Sequence, residues 1–231
     1  MVNVAAFYGC LNCIEYFINT YKDDYVVGNT AYKLAISNNQ EHVVKYFLEN
    51  KIDFDSDVIE HCIIIGNQKL LELLMPKRIN YNQLELAVIH KHNNIFNYLT
   101  NYVNVSNEEL NQCVYLAVCN ENLDYLKKYY DITDKKTFSE DYLLVCAMKY
   151  NQMECVKYLL TNKNNKITEL FLCYAAYHGN LDILNQYTDK IIDNIITVYA
   201  AFTKDIKVME FFVKNGFVIN YYACVIEFII S

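Results

Sequence analysis

The chain has 231 residues, 54% of them hydrophobic and 20% charged, with a mean hydropathy of +0.01, a balance too apolar for a disordered segment and too evenly mixed for a membrane bundle. No apolar run approaches the roughly 18 residues of a bilayer span, and a net charge of -7 gives the wrong field for phosphate backbones, which excludes nucleic acid as the expected partner. Nine cysteines, an odd number scattered among apolar neighbours, argue against a disulfide framework and for small core side chains. No Lys or Arg precedes Lys22 and no basic-then-apolar leader opens the chain, so an intracellular, cytoplasmic location is expected.

A repeat organises everything else. With a small residue as position zero, apolar or aromatic residues recur at plus-eight, plus-nine and plus-twelve. The first unit is anchored at Ala5, with Cys13, Ile14 and Phe17, and the second at Ala35, with Val43, Val44 and Phe47. Cys62 leads to Leu70, Leu71 and Leu74; Ala87 leads to Ile95, Phe96 and Leu99. Ala117 precedes Tyr125, Leu126 and Tyr129, and Ala147 precedes Cys155, Val156 and Leu159. Ala175 with Ile183, Leu184 and Tyr187, and Ala200 with Val208, Met209 and Phe212, complete eight units, and an incomplete last unit runs from about residue 217.

This spacing puts one stripe on a second helix, while the anchor and the residue three before it (Val2, Tyr32, Ile59, Leu84, Val114, Leu144, Leu172) make a stripe on a first. Only Thr197 breaks that column. Each unit is therefore expected to be two short antiparallel helices. Gly9, Gly66 and Gly179 all fall at plus-four, with Asn39 and Asn151 in the same column. A helix-helix turn needs a left-handed residue there, and Gly then Asn suit it best.

The stretch Gly28-Asn29-Thr30-Ala31-Tyr32-Lys33-Leu34-Ala35, followed by Val43-Val44-Lys45-Tyr46-Phe47-Leu48, resembles the ankyrin repeat. Ala175-Ala176-Tyr177-His178-Gly179-Asn180-Leu181-Asp182-Ile183-Leu184 is similar to the core of that repeat, and Lys214-Asn215-Gly216 to its closing turn. With the bias towards Lys, Asn, Ile and Tyr, the set is similar to ankyrin-repeat proteins of giant amoeba viruses of the mimivirus kind. The resemblance implies an all-α, ankyrin-like α-solenoid in a single domain over residues 1–231. Anchor spacings of 25 to 30 residues, against about 33 in ankyrin repeats, imply reduced fingers, and a helical-hairpin solenoid of another kind is the structural alternative.

Chemistry has little to stand on. Phosphate-cradling, nucleophile-elbow and zinc-protease motifs are missing from the sequence, so no enzyme, cofactor, metal or small-molecule substrate is expected. Cys10-Leu11-Asn12-Cys13 is a CxxC without a second pair, and Cys13 falls in the plus-eight core column, so packing is the preferred reading over metal or redox use. His90-Lys91-His92 pairs two imidazoles at a spacing poor for one helix face, with His92 at plus-five and His90 turned to the groove.

What remains is a surface. In ankyrin-like stacks the residues at plus-two and plus-three project towards a concave groove. In this chain the candidate partner-binding residues there are Phe7, Tyr8, Ile65, His90, Tyr150, Tyr177, His178 and Phe202. Aromatic anchors of this type form binding hot spots; the alternative for each is packing against the neighbouring unit. The expected function is a non-catalytic protein-protein interaction module, a scaffold or adaptor, for which the resemblance implies capture of host proteins if the source is a virus. A structural or assembly protein that stacks through its apolar C-terminal edge, Val225-Ile226-Glu227-Phe228-Ile229-Ile230, is the alternative.

Overall fold

The computed structural model describes residues 1–21, 27–74, 79–131, 140–161, 166–203 and 205–219. The loop proline Pro76, most of the connectors 131–136 and 161–166, and the C-terminal edge 225–230 lie outside the described residues, as does nearly all of the incomplete last unit. The described residues are all-helical, with sixteen α-helices, one 3-10 turn and no strand.

In chain order the helices are α1 (Val2–Tyr8), α2 (Leu11–Thr20), α3 (Asn29–Ser37), α4 (Glu41–Glu49), α5 (Ser56–Ile65), α6 (Gln68–Leu74), α7 (Tyr81–Ile89) and α8 (Asn93–Leu99). Then come α9 (Asn107–Cys119), α10 (Leu123–Tyr129), α11 (Glu140–Lys149), α12 (Met153–Leu160), α13 (Glu169–Tyr177), α14 (Leu181–Gln186), α15 (Ile196–Ala201) and α16 (Ile206–Lys214). Most are shorter than the roughly 12–15 residues that hold a helix together in water. Packing must therefore supply their stability.

The chain divides into two compact units, Met1–Glu109 and Leu110–Ser231. In the first, α1 packs on α2 and α3, α3 on α4 and α5, α5 on α6 and α7, and α7 on α8. Thus α1, α3 and α5 each touch their own partner and the next first helix. The second unit repeats the scheme: α11 packs on α12 and α13, α13 on α14 and α15, and α15 on α16, while α10 meets α12.

The burial pattern follows the columns. All eight anchors are buried, and so is the whole minus-three column, Thr197 included. Thr197 keeps its place because its hydroxyl donates to the Asn194 carbonyl at 2.7 Å, which meets the hydrogen-bonding need of a buried polar group. Tyr32 fills the same column in hairpin two; its hydroxyl donates to the Ile52 carbonyl at 2.8 Å, and its ring lies edge-on to Phe47 at 4.9 Å.

Seven hairpins close with one device. The plus-four residue is left-handed in each: Gly9, Gly66 and Gly179, and also Asn39, Lys91, Glu121 and Asn151, with φ from 54° to 81°. The plus-five N–H then returns to the anchor carbonyl, from Cys10 to Ala5, Gln40 to Ala35, Asn67 to Cys62, His92 to Ala87, Asn122 to Ala117, Gln152 to Ala147 and Asn180 to Ala175, at 2.7 to 3.2 Å. This is the Schellman closure, which satisfies carbonyls that the helix end leaves over. The eighth hairpin differs: the Thr203 hydroxyl donates to the Ala200 carbonyl and accepts from the Asp205 N–H, a side-chain substitute for the same closure.

Lys91 and Glu121 hold a glycine position with a side chain attached, which sequence reading did not single out. A left-handed L-residue carries strain that exceeds glycine's extra chain entropy, so Lys91→Gly and Glu121→Gly are each expected to stabilise by about 0.5–1 kcal/mol. Urea unfolding midpoints of the two variants measure this.

Candidate interaction surface

The candidate residues sit where the first helices run into their turns, so the left-handed closure sets their direction. In the first unit, Phe7, Ile64 and Ile65 are exposed, and His90 is exposed with its ring parallel to that of His92 at 6.4 Å. In the second unit, Tyr150 is 45%, Tyr177 43% and Phe202 45% exposed, whereas His178 is half-buried.

Both columns leave side chains in solvent, Phe7, Ile64, Tyr177 and Phe202 at plus-two and Ile65, His90 and Tyr150 at plus-three, and two of the plus-three side chains also reach back to the preceding hairpin. His178 Nε2 lies 2.9 Å from the Lys149 carbonyl, and the Tyr150 hydroxyl bonds that of Tyr115. Tyr8, also at plus-three, is 73% exposed.

Side chains at plus-five, with their neighbours, tie successive turns together. Gln40 Nε2 donates to the Phe7 carbonyl at 3.4 Å, His92 Nε2 lies 3.1 Å from the Ile64 carbonyl, and Gln152 Nε2 donates to the Cys119 carbonyl at 2.9 Å. His42, at plus-seven, reaches the Gly9 carbonyl at 2.8 Å. A carbonyl only accepts, so His42, His92 and His178 each carry a proton on Nε2. At plus-five, Asn67, Asn122 and Asn180 cap the second helix, accepting from Leu70, Tyr125 and Ile183, and Asn67 also donates to Asn39 Oδ1 of the preceding hairpin at 2.9 Å. His92 is thus spoken for by a backbone bond, and among the described residues no three His, Cys, Asp or Glu gather as a metal-binding group.

The second unit carries an aromatic row wider than the candidate set. Tyr177 lies 5.9 Å from Phe202 and 4.9 Å from His178. One turn back along the same helices, Tyr174 meets Tyr199 edge-on at 6.1 Å. Tyr115 stacks on Tyr142 at 5.9 Å and 13°, and Tyr142 is 55% exposed. The Tyr115 hydroxyl is pushed above its ordinary pKa, first by its hydrogen bond with Cys119 and then by burial. Lys149 lies 5.5 Å from the centre of the Tyr150 ring, within cation-π range. Tyr115, Tyr142, Tyr174 and Tyr199 stand outside the plus-two and plus-three turn columns. The signal was the helical spacing of three from Tyr174 to Tyr177 and from Tyr199 to Phe202.

One core assignment is corrected. Cys13, placed in the plus-eight core column, is exposed, and Cys10 is half-buried. In hairpin two the equivalent of Cys13 is Val43, buried like Phe47, with Leu34 and Asn38 half-buried beside it. The α1–α2 hairpin packs on hairpin two through α1 and α3, while Val4, Tyr8 and Cys13 of hairpin one are exposed.

No protein-family model matches the sequence, and no curated protein matches it either. No helix among the described residues is long and apolar enough to cross a membrane.

Proposed function

We propose that the chain is an ankyrin-like α-solenoid, one continuous repeat domain, that works as a non-catalytic protein-protein interaction module inside the cell. One observation carries the reading: Tyr150, Tyr177 and Phe202 leave nearly half of each ring in solvent at the ends of successive first helices. Exposed aromatics at neighbouring turn positions bury much area at small entropic cost when a partner docks, which is how hot spots are built. The constant closure at plus-four supports the repeat reading, since it aims each turn alike. Its partner is another protein, a host protein if the chain is virus-borne.

Replacing Tyr150, Tyr177 and Phe202 together with Ala is the test. Each truncation is expected to cost about 2 kcal/mol of binding, so a partner captured from cell lysate and identified by mass spectrometry is lost in the variant. Far-ultraviolet circular dichroism and melting temperature stay nearly unchanged. A variant that keeps the partner would remove this surface from consideration, and one that unfolds would make the three rings core.

A further inference from the structure

The thiols at the start of α2 are placed unlike any other described cysteines in the chain. Cys10 is the N-cap of α2 and Cys13 lies one turn on, so both side chains rise on the same side, with their Sγ atoms 3.0 Å apart. A disulfide needs about 2.05 Å between sulfurs, an approach of roughly 1 Å that two rotatable side chains can make. Cys13 is exposed and Cys10 half-exposed, whereas Cys62, Cys113, Cys146, Cys155 and Cys173 are buried. An apolar cavity of 340 Å³, lined by Met1, Val4, Tyr8 and Phe17 among others, opens beside the two sulfurs, a size that admits a small molecule.

We propose that Cys10 and Cys13 form a thiol-disulfide exchange site that cycles between a dithiol and an intrachain disulfide, with a small disulfide such as glutathione disulfide as the oxidant. Cys10 thiolate attacks one sulfur of the disulfide, forming a Cys10-glutathione bond and releasing one glutathione thiolate. Cys13, losing its proton to solvent, then attacks Cys10 Sγ and expels the second glutathione. In sum, two protein thiols are oxidised by two electrons, one disulfide is reduced to two thiols, and the released thiolates take up the two protons.

Local chemistry assigns the roles. The Cys10 thiol is held below its ordinary pKa, first by its hydrogen bond with the Cys13 thiol and next by one with the Cys13 backbone, while Cys13 is raised by the same sulfur pair. That makes Cys10 the attacking sulfur and Cys13 the resolving one. The ten-residue helix α2 directs its positive end at Cys10 and carries no acidic residue in its first turn. Burial pushes Cys62 and Cys173 up to about 12, and it raises Cys119 and Cys146 as well, the opposite direction to Cys10.

The experiment equilibrates the full-length reduced chain in buffers of varied glutathione to glutathione disulfide ratio, quenches with acid, alkylates after unfolding and reads each cysteine by peptide mass spectrometry. The wild type is expected to lose two alkylatable thiols as a Cys10–Cys13 disulfide while the buried thiols stay alkylated. Cys13→Ser is expected to trap one glutathione on Cys10, with an unchanged circular dichroism spectrum; Cys13→Ala is a second variant with the same expectation. Cys10 and Cys13 both alkylated at every ratio, two glutathiones retained on the oxidised wild type, or no adduct in either folded Cys13 variant would each overturn the proposal.

Discussion

Gly66→Ala is expected to destabilise the protein by about 2–3 kcal/mol, two or three times the effect of Gly179→Ala at the same repeat position. Both glycines are left-handed, with φ of 81° and 71°, so both lose about 1 kcal/mol to backbone strain when a Cβ is added. They differ in what the next hairpin has placed over them. A Cβ on Gly66 would run into the His92 imidazole, whereas a Cβ on Gly179 would meet only Val208 Cγ2 at 3.7 Å, an ordinary contact. His92 must swing away, and it then gives up its bond to the Ile64 carbonyl, a further loss of about 1 kcal/mol together with repacking. Chemical denaturation of the two variants gives the comparison. A double-mutant cycle isolates the cause: in a His92→Ala background, Gly66→Ala should cost only the strain. Equal costs at Gly66 and Gly179 would show that the imidazole yields freely.

Phe47→Ala is expected to cost about 3–5 kcal/mol, the full large-to-small penalty of a buried ring. Phe17→Ala, in the same plus-twelve column, should cost less than half as much. Phe47 is fully buried and stands edge-on to Tyr32 at 4.9 Å. Phe17 is only half-buried and lines the cavity beside Cys10 and Cys13, so truncating it removes less area from the core and leaves a space that solvent already reaches. Urea titrations followed by circular dichroism measure both. Similar losses would mean that column membership, rather than local cover, sets the energy of an aromatic residue in this chain.

The two comparisons share a lesson. Positions equivalent in the repeat are not equivalent in energy, because the period describes one hairpin and the energy depends on the hairpin beside it. Val43 and Cys13 occupy one column, and only Val43 is buried. The exchange site at Cys10 and Cys13 rests on the same difference, since Cys13 is exposed where Val43 is buried.

The amino-acid sequence by itself determined the all-helical class, the anchors, the minus-three column and most of the second-helix stripe, since these follow from a helical period acting over a dozen residues. It also marked Gly9, Gly66, Gly179, Asn39 and Asn151 as turn residues, which only a left-handed requirement explains. That Lys91 and Glu121 accept the same conformation was decided by packing, which holds the turn strongly enough to override their preference. Tertiary structure alone decided that the His178 ring and the Tyr150 hydroxyl reach back to the preceding hairpin, that Tyr115 pairs with Tyr142, and that Cys13 is open. Each depends on which neighbour covers a side chain, a relation between residues some 25 to 33 positions apart that no local period encodes.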